Sequence, residues 1–471
     1  MADSYDRQYL LAALPPEWST DLLPAIQQEI AATRRKLVVL DDDPTGTQTV
    51  HDIPVLTAWS VDRLRTELAA DAPAFYLLTN SRSLPLTEAQ ALNREIGRNL
   101  VLAGQAAQRD FDVVSRSDST LRGHFPGEVT ALAAALDQPF DGWLIIPFFL
   151  EGGRYTINDV HYVAQGEQLV QAGATEFAHD AAFGYRASNL REWVAEKTND
   201  QIPSAAVASI SLHDLRRGGP ERVEQQLLQL KDGRICIVNA ASMRDLQVLT
   251  LALLRAEARG QRFLYRTAAS FVQVRAGLAP RPLLVPTELA LPSSGGGLIV
   301  VGSYVPSTSA QVAALLGQTN TVNVEIAVAA LLDTDRRLAE IERVAAVADR
   351  ALRANQDVVI YTSRQLVVAT DAAHSLAIGR EISASLVAIV RAIKTRPRYL
   401  LAKGGITSSD IATQALDVKR AVVRGQLLPG VPVWQLGPDS RYPDLTYIVF
   451  PGNVGGPQAL CDVVNTLKRV G

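Results

Sequence analysis

Short apolar runs that stop at polar or glycine-rich loops recur along this chain. Leu37-Val38-Val39-Leu40 leads into Asp41-Asp42-Asp43-Pro44-Thr45-Gly46-Thr47-Gln48, and Phe75-Tyr76-Leu77-Leu78 into Thr79-Asn80-Ser81-Arg82-Ser83. Phe111-Asp112-Val113-Val114 leads into Ser115-Arg116-Ser117-Asp118-Ser119-Thr120-Leu121-Arg122-Gly123, and Leu144-Ile145-Ile146-Pro147-Phe148-Phe149 into Glu151-Gly152-Gly153-Arg154. Stretches with helical spacing lie between them, such as Thr87 to Ala107, which Thr87 and Glu88 open. Strand, loop and helix repeated in this order predict a largely parallel sheet with helices on both faces.

The pattern breaks once and restarts. Pro280, Pro282, Pro286 and Pro292 precede Ser293-Ser294-Gly295-Gly296-Gly297, a linker composition. Beyond it, Leu298-Ile299-Val300-Val301 leads into Gly302-Ser303, and Tyr399-Leu400-Leu401-Ala402 into Lys403-Gly404-Gly405-Ile406-Thr407. Tyr447-Ile448-Val449-Phe450 leads into Pro451-Gly452-Asn453-Val454-Gly455. The expected organisation is a helical N-terminal extension over 1–35, a first domain over 36–278, a linker over 279–297 and a second domain over 298–471. In the extension, Leu10, Leu11, Leu14, Leu22, Leu23 and Ile26 are anchors, broken by Pro15-Pro16. A length of 471 residues agrees with more than one core.

The two halves differ in what their strand ends carry. The first offers Asp42, Asp43, Arg82, Arg116, Asp118, Arg122 and Arg154, which suit a small polar anion gripped by guanidinium forks. The second offers glycines and hydroxyls, at Gly302, Ser303, Thr308, Gly404, Gly405, Thr407, Gly452 and Gly455. Glycine lets backbone amides approach a phosphate, so this half suits a nucleotide. Asp41-Asp42-Asp43 repel one another unless a cation or a substrate hydroxyl relieves them. Asp41 is the one expected to serve as a surface or capping acid. Asp42 and Asp43 could orient a hydroxyl, bind Mg²⁺ through water or accept a proton.

Charge and composition narrow the partners. The net charge is −3 and 20% of residues are charged, which gives no reason to expect nucleic acid or an anionic membrane. Cys236 and Cys461 are the only cysteines, so a structural zinc or a redox dithiol is not expected. His161 and His179 lack metal-ligand spacing. The start of the chain lacks the apolar core of a signal peptide, and a cytoplasmic protein is expected. There is no GxxxxGK[ST] and no strand-linked GxGxxG. A homo-oligomer stays open.

These motifs together resemble the four-carbon acid sugar kinase family, once a domain of unknown function. Asp42-Asp43-Pro44-Thr45-Gly46 resembles its opening Asp-Asp-x-Thr-Gly motif. Asn80-Ser81-Arg82 and Asp118-Ser119-Thr120-Leu121-Arg122-Gly123 resemble its next two signatures. Gly302-Ser303 followed by Gln311, and Gly404-Gly405-Ile406-Thr407, resemble its C-terminal motifs. One departure stands out. Many members end in a Lys-Ser-Gly-Asn-Phe-Gly loop, where this chain has Phe450-Pro451-Gly452-Asn453-Val454-Gly455 and Lys403 could supply the charge.

The resemblance implies two α/β domains, each a largely parallel sheet flanked by helices, with the active site in the cleft between them. It implies ATP- and Mg²⁺-dependent phosphorylation of the terminal hydroxyl of a tetronate, 3-oxo-tetronate or related branched acid. Asp42 and Asp43 would be catalytic. Arg82, Arg116, Asp118, Ser119, Arg122 and Arg154 would bind the acid. Ser303, Thr308, Lys403, Gly404, Gly405, Ile406, Thr407, Gly452, Asn453 and Gly455 would bind ATP. A non-catalytic sugar-acid sensor and a carboxylate-activating ligase are the alternative readings.

Overall fold

A computed structural model describes residues 4–303, 305–317, 321–363 and 372–468. Tyr304 and Arg364 lie outside the described residues. The chain divides into two compact units, one of Met1–Ile53 with Ala58–Pro280 and one of Pro54–Thr57 with Arg281–Gly471.

The first unit is built on a parallel sheet. Its strands run Ala208–Ile210, Arg234–Val238, Gly142–Ile146, Phe263–Thr267, Phe111–Arg116, Lys36–Asp41 and Ala74–Leu78 in spatial order. These strands are almost continuously apolar because helices cover the sheet. The helix foreseen from Thr87 runs Leu86–Ala107, with Pro85 at its N-cap and Glu88 in its first turn. Register matters most for function. Asp41 stands level with both Leu78 and Arg116, and Arg116 with Thr267. The strand ends therefore deliver their polar side chains to one edge of the sheet.

The N-terminal segment carries helices at Arg7–Ala12 and Leu23–Thr33, with a strand before them. Ser4–Asp6 is a strand, paired antiparallel with Gln168–Gln171 in a small sheet that continues through Val160–Gln165 to Arg154–Ile157. The segment after it is clamped to the unit. Arg216 Nη1 donates to Pro15 O at 2.8 Å, Arg244 Nη1 to Thr20 O at 2.9 Å and Gln27 Nε2 to Gly277 O at 2.9 Å. A three-residue strand is too short to show alternation, which hides it from periodicity.

The second unit has a mixed sheet in the order Arg420–Leu428, Val431–Leu436, Thr446–Phe450, Tyr399–Lys403, Leu298–Val301, Asp357–Thr362 and Thr321–Ile326. The first three are antiparallel neighbours and the rest pair in parallel. The proline- and glycine-rich stretch before it is packed rather than free. Leu284 and Leu289 are buried in the core with Val431, Val433, Ile448 and Phe450. Leu284 N donates to Gln426 O at 2.7 Å, and Thr446 Oγ1 to Leu289 O at 2.8 Å. No helix among the described residues is long and apolar enough to cross a membrane.

Candidate active site

Four strand ends of the first unit converge on a buried network of carboxylates and guanidiniums. Asp41 is not a surface acid. Its side chain is buried at the end of Lys36–Asp41, and Oδ1 accepts from Arg116 Nη1 at 3.1 Å. Gly46 makes room for it, because a Cβ there would overlap the carboxylate. The capping role falls to Asp43 instead. Asp43 Oδ1 accepts from Thr45 N at 2.8 Å and from Thr45 Oγ1, and Oδ2 pairs with Arg82. Burial works to raise the Asp43 pKa, but Arg82 and the Thr45 bonds outweigh it and hold it below the usual value.

Asp42 is different from both neighbours. Its side chain is 4% exposed, yet neither carboxylate oxygen has a hydrogen-bond partner among the described residues. Arg82 Nη1 is 3.9 Å and Arg116 Nη1 4.0 Å from Oδ1, which is charge contact without a bond. Burial is the largest influence and pushes the carboxyl up to about 7, against the pull of Arg82 and Arg116. A carboxylate so placed is poised near neutrality to take a proton. Gly123 has φ +118°, and a Cβ on it would lie 3.3 Å from Asp42 Oδ2, so glycine leaves this face of the acid uncrowded.

The arginines divide by what they hold. Arg82 pairs with Asp43, and its Nη1 lies 3.4 Å from Asp118 Oδ1. Arg116 is spent on Asp41. Both therefore brace the acids, where the sequence reading expected them to grip a ligand. Asp118 Oδ2 accepts from Arg122 Nε at 2.8 Å and from Thr120 Oγ1. Burial opposes its ionisation, but Arg82 and Arg122 hold it well below the carboxylate range. Arg122 is partly open, and Arg154 has no carboxylate within ion-pair distance among the described residues. Both guanidiniums stack on the Phe177 ring, at 5.1 and 5.5 Å from its centroid. Ser119 is buried, and its carbonyl is held by His161.

Several of these partners escaped the sequence reading. Arg266, on Phe263–Thr267, donates from Nη2 to Arg122 O at 3.0 Å and lies over Trp193 at 5.0 Å. It secures a loop in which Leu121 takes φ +70°, a costly conformation for leucine. His161 Nε2 donates to Ser119 O at 2.8 Å while Nδ1 accepts from Thr156 Oγ1 at 3.0 Å. Those partners assign the neutral tautomer, and burial lowers its pKa to about 4. Tyr185 donates to Thr120 O at 2.8 Å. Arg266 repeats the pattern of an apolar strand ending in an arginine, which was the signal available for it. Phe177 carried no such signal.

The second unit gathers three loops at adjacent strand ends. Val301, Lys403 and Phe450 stand level in the sheet, so 302–303, 404–407 and 451–455 leave it side by side. They lie close: a Cβ on Gly452 would be 3.0 Å from Ser303 Oγ, and one on Gly404 3.1 Å from Thr407 Oγ1. Gly404 has φ +118°, a conformation that needs glycine. Gly405, Asn453 and Gly455 keep at least partial exposure, and Ile406 is 55% exposed. Thr308 is fully buried and donates to Gly452 O at 2.7 Å, which shapes the loop. Gln311 Nε2 lies 2.9–3.0 Å from the carbonyls of Val454, Gly455 and Gly456. Lys403 is buried as well, with Nζ donating to Pro451 O at 2.9 Å.

Among the described residues no group of three or more His, Cys, Asp or Glu side chains is placed to hold a metal ion. The acids around Asp42 are committed to arginines. Asp42, with both oxygens unbonded, could face a Mg²⁺ carried on a substrate's phosphates.

Comparison with known proteins bears on both units. Residues 37–275 match the model of a sugar-binding N-terminal domain, and residues 298–460 that of a nucleotide-binding C-terminal domain. A 3-oxo-tetronate kinase of Cupriavidus necator is 28% identical over 408 residues, covering 84% of this chain and 87% of that protein. A solved Haemophilus influenzae protein of a family of unknown function superposes with a TM-score of 0.62 at 18% identity, over 91% of this chain and all of its own. A Salmonella typhimurium LT2 protein, described provisionally as a tRNA synthase, gives 0.65 at 18% identity over 91% and 98%. These structures share the two-domain α/β fold. With both domain models matched in order along most of its length, the chain belongs to the four-carbon acid sugar kinase family.

Proposed function

We propose that this protein is an ATP-dependent kinase that phosphorylates the terminal hydroxyl of a short sugar acid, a tetronate, 3-oxo-tetronate or related branched acid. The observation that carries the proposal is Asp42, a buried carboxylate with both oxygens unbonded and a pKa of about 7. Such a group can align a substrate hydroxyl and accept its proton, work that contributes roughly 10²–10⁴-fold in rate. The relationship to a 3-oxo-tetronate kinase supports the substrate class.

In this reading Arg122 and Arg154, held on Phe177, bind the acid's carboxylate. Arg82 and Arg116 keep the acids in place and supply positive charge beside Asp42. The loops 302–303, 404–407 and 452–455 present backbone amides to the nucleotide's phosphates. ATP supplies the transferred phosphoryl group, and any divalent ion would be carried on its phosphates, the usual manner for Mg²⁺. ADP release over a panel of tetronates, 3-oxo-tetronates and branched four- and five-carbon acids tests the proposal. Turnover of one member to a phosphorylated product supports it. Binding of an acid with no ADP release across the panel points to the sensor reading, and trapping of an acyl intermediate by hydroxylamine to the ligase.

A further inference from the structure

Lys403 is a buried cation with an unusual set of neighbours. Its side chain has no exposure, and no carboxylate lies within ion-pair distance of it among the described residues. Nζ donates to Pro451 O at 2.9 Å and sits 3.9 Å from the centroid of the Phe450 ring. The backbone of the same residue ties the other loops together. Lys403 O accepts from Gly302 N at 3.3 Å and Ser303 N at 3.4 Å, and the next amide, Gly404 N, donates to Phe450 O at 2.8 Å. One residue thus touches all three glycine-bearing loops. Burying an uncompensated ammonium is costly, and a structural need for one carbonyl bond would be met by a neutral donor.

We infer that Lys403 is a positioning residue of the nucleotide site: its ammonium holds the Pro451–Gly455 loop through the Pro451 carbonyl and supplies the positive charge that makes this site favour a polyphosphate. The inference rests on the reading of the second unit as the nucleotide-binding one. It accounts for Phe450 at the place where many family members carry the loop lysine. Phe450 and Lys403 are register partners on adjacent strands, so the cation has moved one strand over while its charge stays at the same loop. Lys403 does not touch the nucleotide in this account, because its side chain is covered.

The charge is set by burial alone, which lowers the ammonium pKa to about 7. The titratable groups on the elements around it are engaged elsewhere. Asp410 bonds Ser383 and Gln414, Tyr447 donates to Ser408 O, and Lys468 lies 3.7 Å from Asp357. Cys461 is buried in the apolar core, and Asp462 on the same helix is exposed. Leu298–Val301 and Pro306–Leu316 carry no titratable side chain. A bound polyphosphate favours the protonated form, so affinity is greatest below about pH 7 and falls as the pH rises. A one-unit rise of the ammonium pKa on binding corresponds to about a tenfold change in affinity across that range.

The test is calorimetric titration of the full chain with ADP at several pH values between about 6 and 8.5, for the wild type and Lys403→Met. The expected result is a wild-type dissociation constant that rises about tenfold with pH, proton uptake on binding near neutrality, and a Lys403→Met constant weaker at low pH with that dependence removed. Comparing the two proteins at each pH cancels the titration of ADP itself. Identical pH profiles overturn the inference. If Lys403→Met does not fold, Lys403→Arg takes its place, because a guanidinium stays charged over this range: a pH dependence weaker than the wild type's supports the inference and an identical profile overturns it. Failure of the wild type to bind ADP at any pH would instead remove the nucleotide-site reading on which the inference stands.

Discussion

Asp41 and Arg116 face each other from neighbouring parallel strands, level in register and joined by a 3.1 Å bond between Oδ1 and Nη1. This pair settles how three consecutive acids share one strand end. Asp41 is locked to Arg116, Asp43 caps the next turn and holds Arg82, and Asp42 between them is left without a hydrogen bond among the described residues. Asp43 is held ionised by Arg82 and the Thr45 bonds, whereas burial raises both Asp41 and Asp42 to about 7, and of these two only Asp42 has neither oxygen bonded.

That arrangement has a stability signature. The Asp42 pKa rises from 3.8 to about 7 on folding, chiefly through burial. The folded state then keeps a proton that the unfolded state releases above about pH 4. The favourable contribution is complete below about 4 and is lost as the pH rises through about 7. Asp42→Asn removes this titration, so the variant gains on the wild type over that interval and is more stable at pH 8, by on the order of 2–4 kcal/mol. Urea unfolding of both unliganded proteins across the pH series measures it. A difference that stays flat with pH contradicts an acid held protonated by burial.

Phe177 carries two guanidiniums on one ring, and each cation–π contact contributes roughly 0.5–1 kcal/mol. Phe177→Ala is expected to raise KM for the acid about three- to tenfold, with little change in kcat and no change in ADP affinity. Phe177→Tyr restores KM. In steady-state kinetics Phe177→Leu, which keeps apolar bulk without a π face, separates this from a general loss of packing: KM stays raised if the ring face matters and returns to the wild-type value if only packing does.

Arg266 bonds the carbonyl of Arg122 from the far side of the loop and stacks on Trp193. Arg266→Met leaves that carbonyl without its buried donor, at a cost of about 1.5–3 kcal/mol. Lower Tm, a higher KM for the acid and unchanged ADP binding are expected together. An unchanged KM in a folded variant would show that the 118–123 loop keeps its form without this support.

The strand-end logic made much of this site legible. Asp42, Arg82, Arg116 and Asp118 lie at the ends of apolar runs that a period-and-breaker reading finds directly, and register brings those ends to one edge. What stayed hidden depends on tertiary partners. Which of Asp41 and Asp43 caps a turn and which is buried is decided by the positions of Arg116 and Arg82, not by local sequence. Arg266 reaches its loop from 144 residues away in the chain, a separation that no local pattern encodes. Lys403 and Thr308 carry the residue types of ligand contacts but point into loop backbone, because the space behind the three glycine-bearing loops has to be filled by polar groups that satisfy buried carbonyls. Ser4–Asp6 is an edge strand of three residues, and only its partner Gln168–Gln171 defines it.

The most direct test of the account is kcat of Asp42→Asn on the acid that the wild type turns over, with ADP affinity measured on the same preparation. The amide keeps the shape of Asp42 but cannot accept the hydroxyl proton, so kcat should fall about 10²–10⁴-fold while ADP affinity is unchanged. A folded Asp42→Asn protein that retains wild-type kcat would contradict the assignment of Asp42 as the proton acceptor.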